Sequence, residues 1–392
     1  MGESMGAGQQ GRVYLDYAAT APLDPRLHEV LASCSWANAN SLYAEGREAR
    51  RQLEDARRRI ARAVGARQPA EIVFTSGGTE GDNMAVRGLL PANAKPQETH
   101  VIVSSIEHHA VADAAASLKR LGFKVHGVPA NRSGVVMPQV LEEAAAKALA
   151  GGGKLALVCV MAVNNELGTI QPVRELADAA HELGALFFTD CVQALGKVEM
   201  NLEESGVDAA AFSAHKLGAL KGAGFVYLRR GTRVQPLLFG GGQESGLRSG
   251  TSNVMGACAM AAAVEYAVAE REQTWAHAAA LRAQLLEGLA ALDAKHALTP
   301  TLQDDAACVP HTLSLIAEGL EGETLVQRLD ALGIAASSGS ACSTGSLDPS
   351  PVLTAIGIPK QRAYGSLRLS FGAATTAADI QCLLQALPQA LR

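Results

Sequence analysis

Leu155-Ala-Leu-Val-Cys-Val-Met161, Pro172-Val-Arg-Glu-Leu-Ala-Asp-Ala-Ala-His-Glu-Leu183 and Leu186-Phe-Phe-Thr189 follow one another within 35 residues. The first and last are short apolar runs of the kind that form buried strands. The middle one is a helical pattern, with Pro172 suited to a first-turn position and Gly184 placed to end it. Strand and helix alternating in this way predict a mostly parallel sheet with helices on both faces.

The alternation extends outward from this unit. Strand-like runs recur at 71–75, 100–103, 209–212 and 224–228, and a helical pattern rich in Ala, Arg, Glu and Leu runs over 45–64 and closes at Gly65. From 253 to about 292 the chain is Ala-rich and helical, and further strand-like runs follow at 312–316 and 366–371. This predicts a large α/β domain over 13–264 and a smaller α+β domain over 265–392. Residues 1–12 are expected to be flexible or to pack on the smaller domain.

Composition narrows the function. A chain of 392 residues that is 48% hydrophobic can bury a large core. Its net charge is −5 and its basic residues are scattered, which argues against a nucleic-acid surface. The seven cysteines are widely spaced and contain no CxxC pair. That argues against a disulfide framework or a zinc site, so no metal is expected, and it favours a reducing compartment. The first residues, MGESMGAGQQGR, have no apolar core of a secretory signal, and the longest apolar stretches are broken by charges. A cytoplasmic protein with no membrane span is expected.

Three clusters carry chemistry. In Thr75-Ser-Gly-Gly-Thr-Glu80 a strand runs through small residues into a helix, whose free backbone N–H groups can bind a phosphate. In Phe188-Thr-Asp-Cys-Val-Gln193, Asp190 sits just past an apolar strand, where open α/β sheets bind ligands. In Ala211-Phe-Ser-Ala-His-Lys216 a lysine follows an apolar run, with glycines at 218, 222 and 224 behind it. Each has an ordinary rival: a plain Gly-Gly turn, a helix N-cap for Asp190, a solvated surface lysine. Together they are the parts a pyridoxal phosphate site needs, namely donors for the phosphate, an acid for the pyridinium nitrogen and an amine for a Schiff base.

An ordered set of motifs goes further. Tyr14-Leu-Asp-Tyr-Ala-Ala-Thr20, Thr75-Ser-Gly-Gly-Thr-Glu80, Glu107-His108, Asn164-Asn-Glu-Leu-Gly168, Asp190-x-x-Gln193, Ser213-Ala-His-Lys216, Arg248-Ser-Gly-Thr251 and Ser338-Gly-Ser-Ala-Cys342 occur in that order. From about Val13 to Phe371 the chain resembles the cysteine desulfurases (NifS/IscS-like enzymes) of the class V aminotransferase superfamily. The resemblance implies the type I fold of pyridoxal-phosphate-dependent transferases, with a mostly parallel seven-stranded sheet in the large domain. It implies pyridoxal 5'-phosphate on Lys216, Asp190 on the pyridinium nitrogen, Gln193 on the ring oxygen and His108 stacked on the ring, moving protons. Gly78, Thr79, Ser213 and His215 would hold the phosphate, with Thr251 reaching across from a second subunit of a homodimer. Asn165 and Arg368 would hold the substrate carboxylate.

Ordinary readings compete here too. His108 and His109 make a plausible surface pair, Asn165 a cap of the turn before Gly168, and Arg368 the solvent side of an edge strand.

Cys342 decides the reaction. A free cysteine is by default a small buried hydrophobe. This one lies in Ser337-Ser-Gly-Ser-Ala-Cys-Ser-Thr-Gly-Ser346, too polar and glycine-rich for a core and bounded by Pro349 and Pro351. The resemblance makes it the acceptor of sulfur from L-cysteine, leaving L-alanine and a persulfide. The persulfide would pass to an iron–sulfur scaffold or tRNA-thiolation protein. The chain departs from the family pattern at Asn38-Ala-Asn-Ser-Leu-Tyr43, at Cys191 and at Leu217-Gly-Ala219. Selenocysteine lyase is the alternative within the fold, and an aminotransferase or kynureninase-like hydrolase the alternative that needs no Cys342.

Overall fold

The computed structural model describes residues 11–292, 297–302, 308–339 and 348–392. Among them the strands are β1 (Val13–Tyr14), β2 (Ile72–Thr75), β3 (Thr99–Ser104), β4 (Lys124–Val128), β5 (Lys154–Cys159), β6 (Leu186–Asp190), β7 (Ala209–Ser213), β8 (Gly224–Leu228), β9 (Leu298–Pro300), β10 (Thr312–Ala317), β11 (Ile334–Ala335) and β12 (Ser366–Ser370).

Seven of them form the central sheet in the order β2-β8-β7-β6-β5-β3-β4. β8 runs antiparallel to both its neighbours, and every other neighbouring pair is parallel. Successive residues of a strand face opposite sides, and both sides here are apolar. Ile72, Ile102, Phe187 and Phe212 enter one layer, under the helices Ala44–Ala63, Pro138–Leu149, Val173–Glu182 and Val254–Ala269. Val73, Val101, Phe188 and Ala211 enter the other, under the helices Gly78–Gly88 and His109–Arg120. The fold is the expected α/β architecture with a mostly parallel seven-stranded sheet.

The differences from the sequence reading have simple causes. β4, Lys-Val-His-Gly-Val, has no apolar run to mark it, because it is an edge strand bonded to β3 on one side. Pro172 is the residue before the first helical turn rather than within it. The stretch over 253–292 is two helices, Val254–Ala269 and Arg271–Ala290, separated at Glu270.

A second apolar cluster gathers around the antiparallel sheet β12-β10-β9 and the helices Arg271–Ala290, Gly322–Ala331 and Ala377–Ala390. Val13 and Leu15 belong to this cluster, and β1 pairs in parallel with β11. The chain then crosses to the central sheet. The Ala18 N–H donates to Ser370 Oγ at 2.8 Å, Ala21 N–H to the His215 carbonyl at 3.0 Å, and Asp24 N–H to the Gly218 carbonyl at 2.8 Å. Residues 13–24 are therefore a strap between the two clusters. No helix among the described residues is long and apolar enough to cross a membrane.

Phe212 is fully buried and stacks on Phe225 with ring centroids 4.2 Å apart, two residues before the turn that carries Lys216. Phe212→Ala is expected to lower the unfolding free energy by roughly 3–5 kcal/mol, read by urea denaturation, and a loss below about 1 kcal/mol would contradict this packing.

Candidate active site

Because β2 and β3–β7 all point the same way, the turns after β2, β3, β5, β6 and β7 open at one edge of the sheet. With the strap they enclose a cavity of about 270 Å³. Gly78, Thr79, His108, Asn165, Asp190, Gln193, Ser213, His215, Lys216 and Arg368 all line it. Thr251 does not. It lines a separate cavity of about 100 Å³ with Thr75, Ser76 and Gly224, and it is exposed. Cys342 lies outside the described residues.

At one end of the cavity is the N-terminus of helix Gly78–Gly88. Gly77 has φ 150°, and a Cβ on Gly78 would lie 2.7 Å from Val192 Cγ2, so only glycine lets the backbone N–H groups reach the cavity. Ser213 and His215 flank this end. His215 Nδ1 is 3.1 Å from Thr20 Oγ1, and burial followed by the nearby Lys216 and Lys221 charges pushes its pKa down to about 4.

Lys216 sits in the short helical turn Ala214–Leu217, which Gly218 ends at φ 74°. Its ammonium donates to the carbonyls of Ala18 at 2.6 Å and Ala19 at 2.8 Å. It is thus neither a surface lysine nor loosely placed.

Across the cavity, Asp190 is buried. Its Oδ1 accepts from the Val192 N–H at 2.8 Å in a tight turn, not at the start of a helix. Burial raises its pKa to about 6 against the lowering pull of that N–H and of Lys216. Two more acids lie behind it. Asp82 is pushed well above its ordinary value by burial and then by Asp190 and Glu107, and its Oδ1 has no hydrogen-bond partner. Glu107 accepts from Ser104 Oγ and, at 2.8 Å, from the Met161 N–H, while burial raises its pKa to about 8.

His108 departs from the surface-pair reading. It is the N-cap of helix His109–Arg120, its Nδ1 accepting from the Ala110 N–H at 3.1 Å. A ring that accepts at Nδ1 carries its proton on Nε2. Burial, then Lys216, lower its pKa to about 4 and keep it neutral.

The turn before Gly168 is capped by Asn164, not Asn165. Asn164 Oδ1 accepts from the N–H groups of Glu166 and Leu167 at 2.9 and 2.8 Å. Asn165 Oδ1 is buried without a partner beside the cavity. Arg368 is 3% exposed, so the solvent-facing reading fails. Asp16 holds its Nη2 at 3.0 Å, its Nη1 donates to the Asn165 carbonyl at 3.2 Å, and its Nε is buried without a partner.

Asp16, Asp82, Glu107 and the Ala18 and Ala19 carbonyls escaped the sequence reading as site groups. The Tyr14–Thr20 motif was the signal for three of them.

Buried atoms left unpaired by the protein point to a ligand that supplies the missing partners. A helix N-terminus, an amine and a buried acid on one cavity fit the phosphate, aldehyde and ring nitrogen of pyridoxal 5'-phosphate.

Glu107 gives a pH test on cofactor-free protein. Between its ordinary value of 4.5 and about 8 the folded chain keeps a proton that the unfolded chain has released. Rising pH therefore favours unfolding across that window. The melting temperature of Glu107→Gln relative to the parent is expected to climb from about pH 5 to about pH 8 and then level off. A difference independent of pH would refute the buried, protonated acid.

Residues 13–383 match the family described as aminotransferase class-V. The chain is 39% identical over 378 residues to cysteine desulfurase IscS of Dictyoglomus turgidum, spanning 96% of this chain and 93% of that protein. It is 40% identical over 383 residues to an IscS-like cysteine desulfurase of Mycobacterium tuberculosis, spanning 96% of each. A solved NifS-like protein superposes with a TM-score of 0.87 at 35% identity, covering 96% of this chain and 98% of that one. DndA from Streptomyces lividans superposes with a TM-score of 0.73 at 34% identity, covering 91% and 99%. By the match over most of its length, the chain belongs to the aminotransferase class-V family.

Proposed function

We infer that the protein is a pyridoxal-phosphate-dependent cysteine desulfurase that converts L-cysteine to L-alanine and collects the sulfur on Cys342. The observation that carries this reading is the single cavity that gathers Lys216, Asp190, Gln193, Asn165 and Arg368 from four separate segments. Relatives named cysteine desulfurase, similar over nearly the whole chain, support the substrate.

When bound, the cofactor supplies the electron sink for the carbanion formed on the amino acid. The protein supplies the rest. Lys216 would be the residue that carries the cofactor, and its amine is the base nearest to where the substrate's α-proton would lie. Asp190 holds the ring-nitrogen proton, and a cation there draws it toward the carboxylate form. Gln193 donates to the ring oxygen. Gly78, Thr79, Ser213 and His215 bind the phosphate. His108 would stack on the ring, and its Nε2 proton could then be passed on. Arg368 and Asn165 would bind the substrate carboxylate, the first by its charge and its unpaired Nε–H, the second by donation from its side-chain NH₂. The Cys342 thiolate takes the substrate sulfur, so that L-cysteine and the thiol become L-alanine and a Cys342 persulfide.

Both described ends of the chain around Cys342 support its role. Ser337 bonds the backbone of Arg368 in both directions, and Gly339 N–H donates to Ser366 Oγ at 3.1 Å. On the far side Ser350 Oγ donates to Glu166 Oε2 at 2.5 Å, one residue from Asn165. The sulfur then passes to an acceptor protein of iron–sulfur cluster assembly or tRNA thiolation. Cys34, Cys159, Cys191, Cys258 and Cys382 are in no disulfide bond, which supports a reducing, cytoplasmic setting. The grouping of most apolar residues up to Val264 in one cluster, and of Leu281 onward with Val13 and Leu15 in another, supports a division into a larger and a smaller domain near residue 264.

Incubating the cofactor-loaded protein with L-cysteine is expected to give alanine and protein-bound persulfide. Cys342→Ala should still bind the cofactor and change its absorbance on adding L-cysteine, yet lose more than about 100-fold in alanine release. Alanine release near the parent rate would overturn the acceptor assignment.

The same reading makes the protein a homodimer in which Thr251 completes the partner's phosphate site. Trp36, Leu42 and Phe239 are 83–85% exposed, and Ser249, two residues before Thr251, donates to the carbonyl of Leu238. Large apolar side chains left this exposed are ones a partner subunit would cover. Sedimentation at low concentration is expected to give a dimer, and a stable monomer retaining cofactor and activity would refute the shared site.

A further inference from the structure

We propose that Lys197 is a positioning residue that fixes the Gln193 amide toward the cofactor's ring oxygen and supplies a positive charge behind it. The proposal rests on the reading above, in which Gln193 meets that oxygen and Lys216 anchors the cofactor.

Gln193 and Lys197 lie four residues apart in the run of turns after β6. Lys197 Nζ donates to Gln193 Oε1 at 2.6 Å. An ammonium has no acceptor, so the atom it meets must be the amide oxygen. The Gln193 NH₂ is thereby turned the other way, where it donates to the Ala18 carbonyl at 3.0 Å and borders the cavity that holds Lys216. The Ala18 carbonyl, which only accepts, asks for the same orientation, so Lys197 reinforces it and adds a charge behind the amide oxygen.

The charge around Lys197 points the same way. What surface it keeps is the wall of a second cavity of about 440 Å³, on the other side of Lys216, and its ammonium lies deep within the protein. Among the described residues no carboxylate lies within salt-bridge distance of it. Two acids on that cavity, Asp24 and Glu270, are both paired with Arg26. The other charged groups acting on Lys197 are cations, Lys216 and Arg368. His311 is held neutral by burial and by Lys197 itself, and Tyr17 remains a phenol. Burial first, then the two cations, bring the Lys197 pKa down to about 7. A buried cation among cations is costly unless an anion joins it. An anionic ring oxygen on the far side of Gln193 is that partner.

Removing the charge should make protonation of the neighbouring Lys216–cofactor linkage easier, because a nearby cation disfavours a second one. The test is a pH titration of the bound cofactor's absorbance in the parent, Lys197→Met and Lys197→Arg, together with cofactor affinity. In Lys197→Met the midpoint is expected to rise by about one pH unit and the affinity to fall about 10-fold. Lys197→Arg, which keeps the charge, should stay within a few tenths of a unit of the parent. If the Met variant does not fold, Lys197→Gln serves the same comparison.

An unchanged midpoint and affinity in the uncharged variant would overturn the proposal. Hydride reduction of the parent, followed by mapping of the modified lysine, separates the two layers. Fixation away from Lys216 would sink the underlying reading, whereas fixation at Lys216 with no shift on losing Lys197 would sink this inference alone.

Discussion

The grip of the Ala18 and Ala19 carbonyls on the Lys216 ammonium sets the geometry of the whole site. Two oxygens from successive residues fix the amine against one wall, and the wall is itself held from both sides. Below it, Ala21 and Asp24 bond to the turn that carries the lysine. Above it, Ala18 bonds to Ser370 and Asp16 to Arg368. The central sheet, the strap and the smaller sheet are thereby locked in one arrangement around a few polar atoms. The surrounding apolar layers are what make those contacts strong, since they keep water from competing.

The cavity balances charge in a way that its parts do not when taken singly. Asp190, Asp82 and Glu107 crowd one side, each held toward its protonated form by burial. Lys216 and Arg368 line the same cavity, Lys197 stands behind Gln193, and His108 and His215 stay neutral. Such a separation of signs suits a ligand with a cationic ring nitrogen and anionic oxygens. It also explains why so many buried atoms lack partners within the protein.

Much of this was legible from the chain. The strands buried on both faces stood out as apolar runs, and the residues just past their carboxyl ends are the ones that line the cavity. What the periodicity missed was set by distant partners. β4 is too polar to be seen as a strand, and Arg368 alternates with leucines just as a solvent-facing residue would, yet Asp16 and Asn165 enclose it. Which of two adjacent asparagines caps a turn depends on a single rotation of the backbone, so Asn164 and Asn165 could be told apart only in three dimensions. The acids behind Asp190 come from two other strand–helix junctions, and no local pattern joins them.

The strap has a consequence for how the protein is made. Asp16 and Arg368 are 352 residues apart, and β1 pairs with β11 near the opposite end of the chain. A ribosome delivers the strap first and its partners last, so the central sheet can form during synthesis while residues 13–18 wait without their contacts. The wall that grips Lys216 closes only when the final strand has emerged. Newly made chains therefore pass through a stage with a folded sheet and an open pocket.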